Sequence, residues 1–586
     1  MFMATLIFLL YPAVKKRSTD KVQIIDLVFI CSTLASGIYL VSNFHAIALR
    51  AGAPTTWDVI FGLLMILSVL EVARRIVGLT LPMVALCALL YAYFGPYLPA
   101  IIGHRGYSIP RIVSQCYLFT DGIFGTPLGI SATFVFIFVL FGAFLEMTGI
   151  GQTFIELANL IAGKSRGGSA KTAVVSSALL GTISGSVTAN VVTSGSFTIP
   201  LMKKDGYEDW FAGAIEAVAS TGGQIMPPIM GSSAFIMAEY LGIPYIQIAK
   251  AATIPAILYF VAVFLMVDRE AGRLNLQPAS ALAMAGAQQP TTREILKKTV
   301  SSLIPIFGLL YVLISGRTAI LAGLVGIVLS IIVGFIKQRD RLKPKDLIRT
   351  LDKGARSALT VAAATACAGI VIGTVNMTGL GLAFSSIVLQ LARGRLLIAL
   401  LVSMLASLIL GMGLTTTACY VLLAVLVAPA LINMGVTPLA AHIFVFFFGT
   451  MSFITPPVSL GAYAAASIAE SNPFKTGWAA FRLGTAAFII PFAVAYSPEL
   501  LLVGDIPHII FAVVTAAIGI YFLADAVIGW NKRRLTAVER LLLFAGGCLL
   551  IFPKLLVSAV GLALALCGWL VGKFIERRSE AGSIAS

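Results

Sequence analysis

Charged side chains are scarce in this chain of 586 residues: 11% are Asp, Glu, Lys or Arg, whereas 59% are hydrophobic. Soluble chains average about 25% charged and about 45–50% apolar residues, so a soluble globular protein is excluded. The apolar residues form continuous runs of about 20 residues, the length that a helix needs to cross a bilayer. A β-barrel would instead alternate apolar and polar residues. The sequence therefore predicts an all-α polytopic membrane protein.

Cysteine and histidine are also sparse, with seven and four residues respectively. No two cysteines have C-x-x-C spacing, and we interpret all of them as small core hydrophobic residues, not as disulfides or metal ligands. The chain has no H-E-x-x-H motif and no G-x-x-x-x-G-K-[ST] loop for ATP. We therefore expect no enzymatic activity, no ATP-driven pumping and no organic cofactor.

The 41 basic residues outnumber the 25 acidic ones, and their positions predict the topology. If the first basic stretch, residues 15–21, lies in the cytoplasm, all later dense basic loops fall on the same side. This holds only if two interrupted apolar segments, about 172–202 and 397–432, are re-entrant helical hairpins. The pattern thus predicts two such hairpins and a cytoplasmic C-terminus. It also explains the net charge of +16 without nucleic acid as a partner.

A repeat at an offset of 229 or 230 residues is the most informative pattern. The segment Met147–Gly151 (MTGIG) recurs as Met377–Gly381 (MTGLG), and Pro227-Pro228 recurs as Pro456-Pro457. In the predicted topology the two copies begin with spans of opposite direction, so the repeats are inverted. Inverted repeats with hairpins and broken helices are typical of secondary transporters, which bind their substrate at the breaks.

The hairpin turns (181–190 and 411–417) and the helix breaks (220–228 and 449–457) are rich in Gly, Pro, Ser and Thr. Proline and glycine free backbone carbonyls, which together with side-chain oxygens suit a hard cation such as sodium. The opposite half-helix ends present N–H groups that suit a carboxylate. The alternative interpretation is that small residues only permit close helix packing.

Three motifs carry a family resemblance: SGSVTAN at 184–190, GGQIMPPIMGSSAF at 222–235 and FITPPV at 453–458. With them the chain resembles a tripartite ATP-independent periplasmic (TRAP) transporter permease with fused small and large membrane subunits. The resemblance implies an elevator-type transport core in the bacterial inner membrane. It also implies sodium-driven import of organic acids, such as C4-dicarboxylates or keto acids, which a secreted periplasmic binding protein delivers.

The resemblance also implies a division of the chain into three parts. Residues 1–105 would match the four-span small subunit, with its first span cut short. Residues 106–503 would match the large subunit, with repeat 1 at about 129–268 and repeat 2 at about 358–497. Residues 504–586 would add further C-terminal spans, to which we assign no role beyond support.

The site residues expected from these motifs and from the adjoining turns and breaks fall into two sets. The first half-site comprises Ser184, Gly185, Ser186, Thr188, Asn190, Thr221, Gly222, Gly223, Gln224, Pro227 and Pro228. The second half-site comprises Gly411, Gly413, Thr415, Thr416, Thr417, Ser452, Thr455, Pro456 and Pro457. Because the second copy has Cys419 and Phe453 where the first has Asn190 and Gln224, the two half-sites cannot bind ligands identically.

Two ionisable residues, Glu216 and His442, lie within predicted spans. Such residues are functional candidates by default, and we consider both for coupling, with a structural hydrogen bond as the alternative. Two other transport modes stay open: a stand-alone sodium/anion symporter that needs no binding protein, and a channel. Sodium ions are the only expected metal, at the oxygens of the half-sites.

Overall fold

The computed structural model describes residues 1–13, 23–50, 52–276, 291–337 and 343–584. Within these ranges, ten helices are long and apolar enough to cross a membrane, and one further bent pair gives up to eleven. The all-α polytopic prediction is confirmed. The only β-strands in the described ranges are a two-residue antiparallel pair, β1 (Trp530–Asn531) with β2 (Arg533–Arg534). The first basic stretch, residues 15–21, lies outside the described residues.

The N-terminal part forms seven helices before repeat 1: α1 (Phe2–Leu10), α2 (Ile24–Ser42), α3 (Phe44–Leu49), α4 (Thr56–Ile76), α5 (Thr80–Phe94), α6 (Ile109–Tyr117) and α7 (Thr126–Ile130). A short 3₁₀ turn, Gly95–Tyr97, follows α5. The basic pair Arg74 and Arg75 lies in the last turn of α4, where both side chains bind Glu71.

Repeat 1 continues from α7 through a π turn, Ser131–Val135, into α8. Its helices are α8 (Phe136–Met147), α9 (Ile150–Ala162), α10 (Gly168–Ser184), α11 (Val187–Lys204), α12 (Asp209–Gly223), α13 (Ser233–Leu241) and α14 (Tyr245–Arg273). Two helices then lead to repeat 2: α15 (Thr292–Ile314) and α16 (Ala319–Lys337).

Repeat 2 follows the order of repeat 1, except that two single helices of repeat 1, α11 and α14, each correspond to two successive helices in repeat 2. Its helices are α17 (Pro344–Thr378), α18 (Leu380–Ala392), α19 (Leu396–Gly411), α20 (Thr416–Leu426), α21 (Ala428–Asn433), α22 (Pro438–Met451), α23 (Leu460–Ala469), α24 (Pro473–Leu483) and α25 (Thr485–Tyr496). A 3₁₀ turn, Ser452–Ile454, extends α22, and α24 and α25 meet at an angle of 41°.

The glycine of the repeated MTG motif has the same backbone conformation in both repeats. Gly149 and Gly379 both have positive φ, 76° and 72°, and each ends one helix and begins the next, at the junctions α8/α9 and α17/α18. A residue with a side chain rarely adopts this left-handed conformation, so the sharp change of direction requires glycine. The recurrence of the motif therefore marks the same junction in both repeats.

Both predicted hairpins are present as packed helix pairs, and their re-entrant course stays a prediction. Both breaks are also present, but they begin later than the predicted 220–228 and 449–457, because the preceding helices continue to Gly223 and Ile454. Helices α10 and α11 pack against each other around Gly185 and Ser186 (hairpin 1), and α19 packs against α20 (hairpin 2). Helix α12 is separated from α13 by residues 224–232 (break 1), and the 3₁₀ turn after α22 is separated from α23 by residues 455–459 (break 2). Helix-breaking sequence thus predicts approximately where the helices end.

The two repeats interlock. Helix α13, which follows break 1, packs on α20 of hairpin 2 and on α22. Helix α23, which follows break 2, packs on α11 of hairpin 1 and on α12. Each repeat thus places the helix after its break against the hairpin of the other repeat, and the two half-sites lie along this shared interface.

The long helix α17 joins the N-terminal part to the repeats, because it packs on α4, α5, α6, α8 and α20. The chain ends, after a 3₁₀ turn at Pro498–Leu501, with α26 (Ile506–Ile528), α27 (Ala537–Ile551) and α28 (Leu555–Ile584). These three helices pack in sequence, and α26 lies against α14. All seven cysteines are free, but Cys31, Cys87 and Cys567 are exposed on helix surfaces, so our placement of every cysteine in the core is wrong.

Candidate functional site

The turn of hairpin 1 lies directly against break 1. Gly185 has φ 55°, and a Cβ atom there would overlap the carbonyl oxygen of Met230. Ser186 caps α11, since its Oγ accepts a hydrogen bond from the amide of Ala189 at 3.4 Å. The side chains of Ser184 and Thr188 are exposed at this turn. The turn therefore presents hydroxyl groups beside an interrupted helix.

Small residues bring hairpin 1 close to the end of α12. A Cβ atom on Gly181 would overlap the backbone of Gly223. The buried Asn190 side chain lies at the same point, where its Nδ2 donates to the carbonyl of Ser177 at 3.1 Å. Gly222 lies under the ring of Tyr259. The first half-site residues of α11 and α12 are thus neighbours in space.

In the second half-site the hairpin also lies close to the helix before the break, but different side chains make the contacts. Ser452 Oγ lies 3.1 Å from the carbonyl oxygen of Gly411 and 2.7 Å from that of Gly449, and it can donate to either. Thr415 caps α20 by accepting from the amide of Ala418 at 3.4 Å. Gly413, with φ 74°, lies against the side chain of Thr80 on α5. Hairpin 2 therefore contacts the N-terminal part of the chain as well as its own break.

Hydrogen bonds connect the two half-sites directly. Thr416 Oγ1 donates to Gln224 Oε1 at 2.7 Å. The hydroxyls of Ser232 and Thr417 lie 2.5 Å apart. These contacts join break 1 to hairpin 2, and we call the four residues that make them, Gln224, Ser232, Thr416 and Thr417, the polar seam.

Some of the expected hydroxyls turn back onto their own helix. Thr221 Oγ1 donates to the carbonyl of Ala217 at 2.7 Å, and Thr455 Oγ1 donates to that of Met451 at 2.8 Å. Their oxygens keep lone pairs for a cation, but their protons are already used.

At each proline pair, a backbone carbonyl accepts a hydrogen bond from a tyrosine hydroxyl. Tyr245 Oη lies 2.8 Å from the carbonyl oxygen of Pro228 and 2.5 Å from that of Ile229. Tyr463 Oη donates to the carbonyl of Pro457. The peptide bonds within Pro227-Pro228 and Pro456-Pro457 are both cis. Both breaks thus have a tyrosine held beside the prolines.

Two buried hydroxyls at the breaks have no partner among the described residues. Ser233, the first residue of α13, and Ser459, which precedes α23, are completely buried, and neither Oγ makes a hydrogen bond. A buried polar group without a partner is costly, so such groups mark places where a ligand or water binds. Neither residue was among the candidates from the sequence.

Glu216 lies within hydrogen-bond distance of hydroxyls on three helices. Its Oε1 lies 3.1 Å from Ser177 Oγ, 2.5 Å from Ser194 Oγ and 3.0 Å from Ser220 Oγ, and its Oε2 lies 2.5 Å from Thr198 Oγ1. The carboxyl group is completely buried and ties both arms of hairpin 1 to α12. Sequence reasoning missed these hydroxyls, although Ser194 and Thr198, like Glu216 and Ser220, are spaced four residues apart on one helix face.

His442 lies apart from this carboxyl group. It is buried on α22, and its Nδ1 lies 2.8 Å from the Oη of Tyr420 on hairpin 2. Our two coupling candidates thus sit in separate hydrogen-bonding environments, one in each repeat. The described residues contain no group of three or more His, Cys, Asp or Glu side chains that could hold a metal ion. The available ligands at the seam are hydroxyl, amide and carbonyl oxygens, which suit an alkali cation.

The family described as "Tripartite ATP-independent periplasmic transporter, DctM component" has a model that matches residues 64–509. The chain belongs to this family. The match and the many apolar helices confirm the resemblance to a multi-pass inner-membrane TRAP transporter permease, whereas the fused small subunit stays a prediction. The matched residues include both hairpins, both breaks and the polar seam between them.

Three relatives illustrate the range of the family. The chain is 24% identical over 332 residues to a putative TRAP transporter large permease protein of Haemophilus influenzae, covering 55% of this chain and 74% of the relative. It is 33% identical over 124 residues to the C4-dicarboxylate TRAP transporter large permease protein DctM of Pseudomonas aeruginosa, covering 21% and 28%. It is 35% identical over 91 residues to the isethionate TRAP transporter permease protein DctMQ of Oleidesulfovibrio alaskensis, covering 16% and 14%.

Proposed function

We propose that this DctM-family permease imports small organic acids by sodium symport, receiving them from a secreted periplasmic binding protein. The observation that carries the proposal is the polar seam, in which the Thr416–Gln224 hydrogen bond joins the two half-sites. Oxygen ligands from both breaks would hold sodium, and sodium would supply the positive charge that the hairpin turns lack.

The helix starts at the two breaks indicate the class of substrate. The helices α13 and α23 begin at the breaks, where their free N–H groups favour an anion, and the unpartnered hydroxyls of Ser233 and Ser459 lie at these two helix starts. We therefore assign a carboxylate-bearing substrate, of the C4-dicarboxylate or keto-acid class. Sodium and substrate would each raise the affinity for the other, because each completes the site of the other.

The two interlocked repeats would move as an elevator domain in an inverted-repeat arrangement. The hairpins and broken helices would form the moving part, and the N-terminal helices would contribute to the static scaffold. Contacts such as that between Gly413 and Thr80 would then change during transport, since they join hairpin 2 to the N-terminal part.

The test is uptake of labelled substrate into proteoliposomes that contain the purified chain. A C4-dicarboxylate, a keto acid and isethionate are each supplied with and without an inward sodium gradient, and with and without the candidate binding protein. We expect accumulation only when both are present. Accumulation with sodium alone would instead establish a stand-alone symporter, and simple equilibration without any gradient would establish a channel.

A further inference from the structure

The buried carboxyl group of Glu216 has no oppositely charged partner. Among the described residues it forms no ion pair, although it is completely buried. Two lysines lie on the helices that supply the surrounding hydroxyls. Lys171 on α10 is six residues from Ser177, and Lys203 on α11 is five residues from Thr198. Each lysine is therefore roughly 7–9 Å along the helix axis from the hydroxyl residue that contacts Glu216. Both lysines have their own partners, Asp268 and Asp209.

Among the described residues, the basic side chains of the other helices packed on α12 are exposed or paired elsewhere: Lys250 and Arg482 are exposed, and Arg269 and Arg273 bind Asp525 and Glu270. Tyr259 on α14 donates to the carbonyl of Val218, and Tyr463 on α23 donates to that of Pro457. Lys475 on α24 lies over the ring of Trp210 and pairs with Glu208. Asp209, an acidic residue on α12 itself, is seven residues from Glu216, about two turns of helix. Because an unpaired buried charge is strongly disfavoured, the neutral carboxylic acid fits this pocket.

The surrounding hydroxyls can satisfy the carboxyl group in either protonation state. Ser194 Oγ lies 2.5 Å from Glu216 Oε1 and also 2.8 Å from the carbonyl oxygen of Asn190. Thr198 Oγ1 lies 2.5 Å from Oε2 and also 3.0 Å from the carbonyl oxygen of Ser194. Each hydroxyl has one proton, so it donates to the carboxylate or, after rotation, donates to the backbone and accepts from the carboxylic acid.

We propose that Glu216 is a proton-binding site of this permease, occupied in the conformation described here. A proton from water binds one carboxylate oxygen, and no other covalent bond changes. Four hydroxyl oxygens lie 2.5–3.1 Å from the two carboxyl oxygens, so a proton on either oxygen has a hydrogen-bond acceptor beside it.

The hydroxyl of Ser194 lies between the Glu216 carboxyl group and Asn190, a residue of the first half-site. Ser194 Oγ lies 3.2 Å from Asn190 Oδ1, and Asn190 lies beside Gly223, the last residue of α12 before break 1. When the carboxyl group loses its proton, Ser194 turns from Asn190 towards Glu216, which alters the hydrogen bonding of a half-site residue. Proton and solute binding are therefore linked, each changing the affinity for the other. This linkage rests on the proposed transport function, whereas proton binding itself does not.

Infrared difference spectroscopy of the purified chain tests proton binding without transport. We expect the carbonyl band of a protonated carboxylic acid in the wild type at neutral pH. The band should be absent in Glu216→Gln and retained in Glu239→Gln, which removes an exposed carboxyl group on α13. If Glu216→Gln does not fold, Glu216→Asp serves instead, and it should shift the band. The absence of such a band from the wild type at neutral pH overturns the proposal.

Proteoliposome uptake tests the linkage. With the sodium gradient held constant, we expect the initial rate of the wild type to change several-fold as the external pH is varied, whereas Glu216→Gln keeps sodium dependence but does not respond to pH. An equal pH response in both proteins overturns the linkage. Uptake by the wild type that does not depend on sodium would contradict the proposed function and leave the infrared result standing.

Discussion

Thr416 and Gln224 show what a single hydrogen bond does in this permease. They are 192 residues apart in sequence, and their bond of 2.7 Å joins hairpin 2 to break 1. Both side chains are buried, so the Gln224 oxygen has no access to water as an alternative donor. Removing the Thr416 hydroxyl leaves a buried acceptor unsatisfied, which costs about 1–3 kcal/mol.

Thr416→Ala should therefore raise the sodium concentration for half-maximal uptake by roughly tenfold, the equivalent of about 1.4 kcal/mol. Ser186→Ala should act in the same direction, because it removes a hydroxyl from the turn of hairpin 1. Thr416→Ser should restore the wild-type value. The control is Thr133→Ala, whose exposed hydroxyl bonds only its own helix. Unchanged uptake at limiting sodium in both alanine variants would contradict a sodium site at the seam.

At the scale of helices and turns, the sequence predicts most of what the structure contains. Glycine, proline and the repeat offset place both hairpins correctly and both breaks approximately, because these residues end helices locally. The pairing of Thr416 with Gln224, and the four hydroxyls around Glu216, could not be predicted. They depend on how separate helices pack, which no local pattern encodes. Ser233 and Ser459 were missed for the same reason, since only burial reveals that they lack partners.

Close approach of hairpin 1 to α12 makes Gly181 a sensitive position. A Cβ atom there would overlap the backbone of Gly223, so Gly181→Ala must push the two helices apart. At Gly411, its counterpart, the Cβ would instead meet the side chains of Ser452 at 2.9 Å and Cys419 at 3.0 Å, which can rotate. Gly181→Ala should therefore destabilise the protein by about 1–3 kcal/mol and abolish uptake, and Gly411→Ala should do less.

Thermal unfolding of the purified variants and their sodium-driven uptake measure this difference. Gly129→Ala is the control, because a Cβ there has no neighbour within 4 Å. If Gly181→Ala and Gly411→Ala lose the same amount of stability and uptake, the close contact between the backbones of Gly181 and Gly223 does not explain the effect of Gly181→Ala.

At the scale of the whole molecule, the repeats are held between two flanking parts. The N-terminal helices contact α17, where Tyr107 Oη donates to the carbonyl of Met377 at 2.6 Å. The C-terminal helices attach to α14 through α26, where Arg269 Nε and Asp525 Oδ1 are 2.5 Å apart. The sequence predicted these last helices but not where they attach, because the ion pair joins residues 256 positions apart.

The Arg269–Asp525 pair should stabilise the attachment without taking part in transport. Asp525 is 1% exposed, and breaking a buried pair costs about 3–5 kcal/mol, reduced here because Arg269 also binds Asp268 at 2.9 Å. Asp525→Asn should thus lower the unfolding temperature of the purified permease and leave the sodium concentration for half-maximal uptake unchanged. Asp352→Asn, which breaks an exposed pair with Arg356, should change the free energy of unfolding by less than about 1 kcal/mol. An altered sodium dependence in Asp525→Asn at unchanged stability would instead place the C-terminal helices in the transport mechanism.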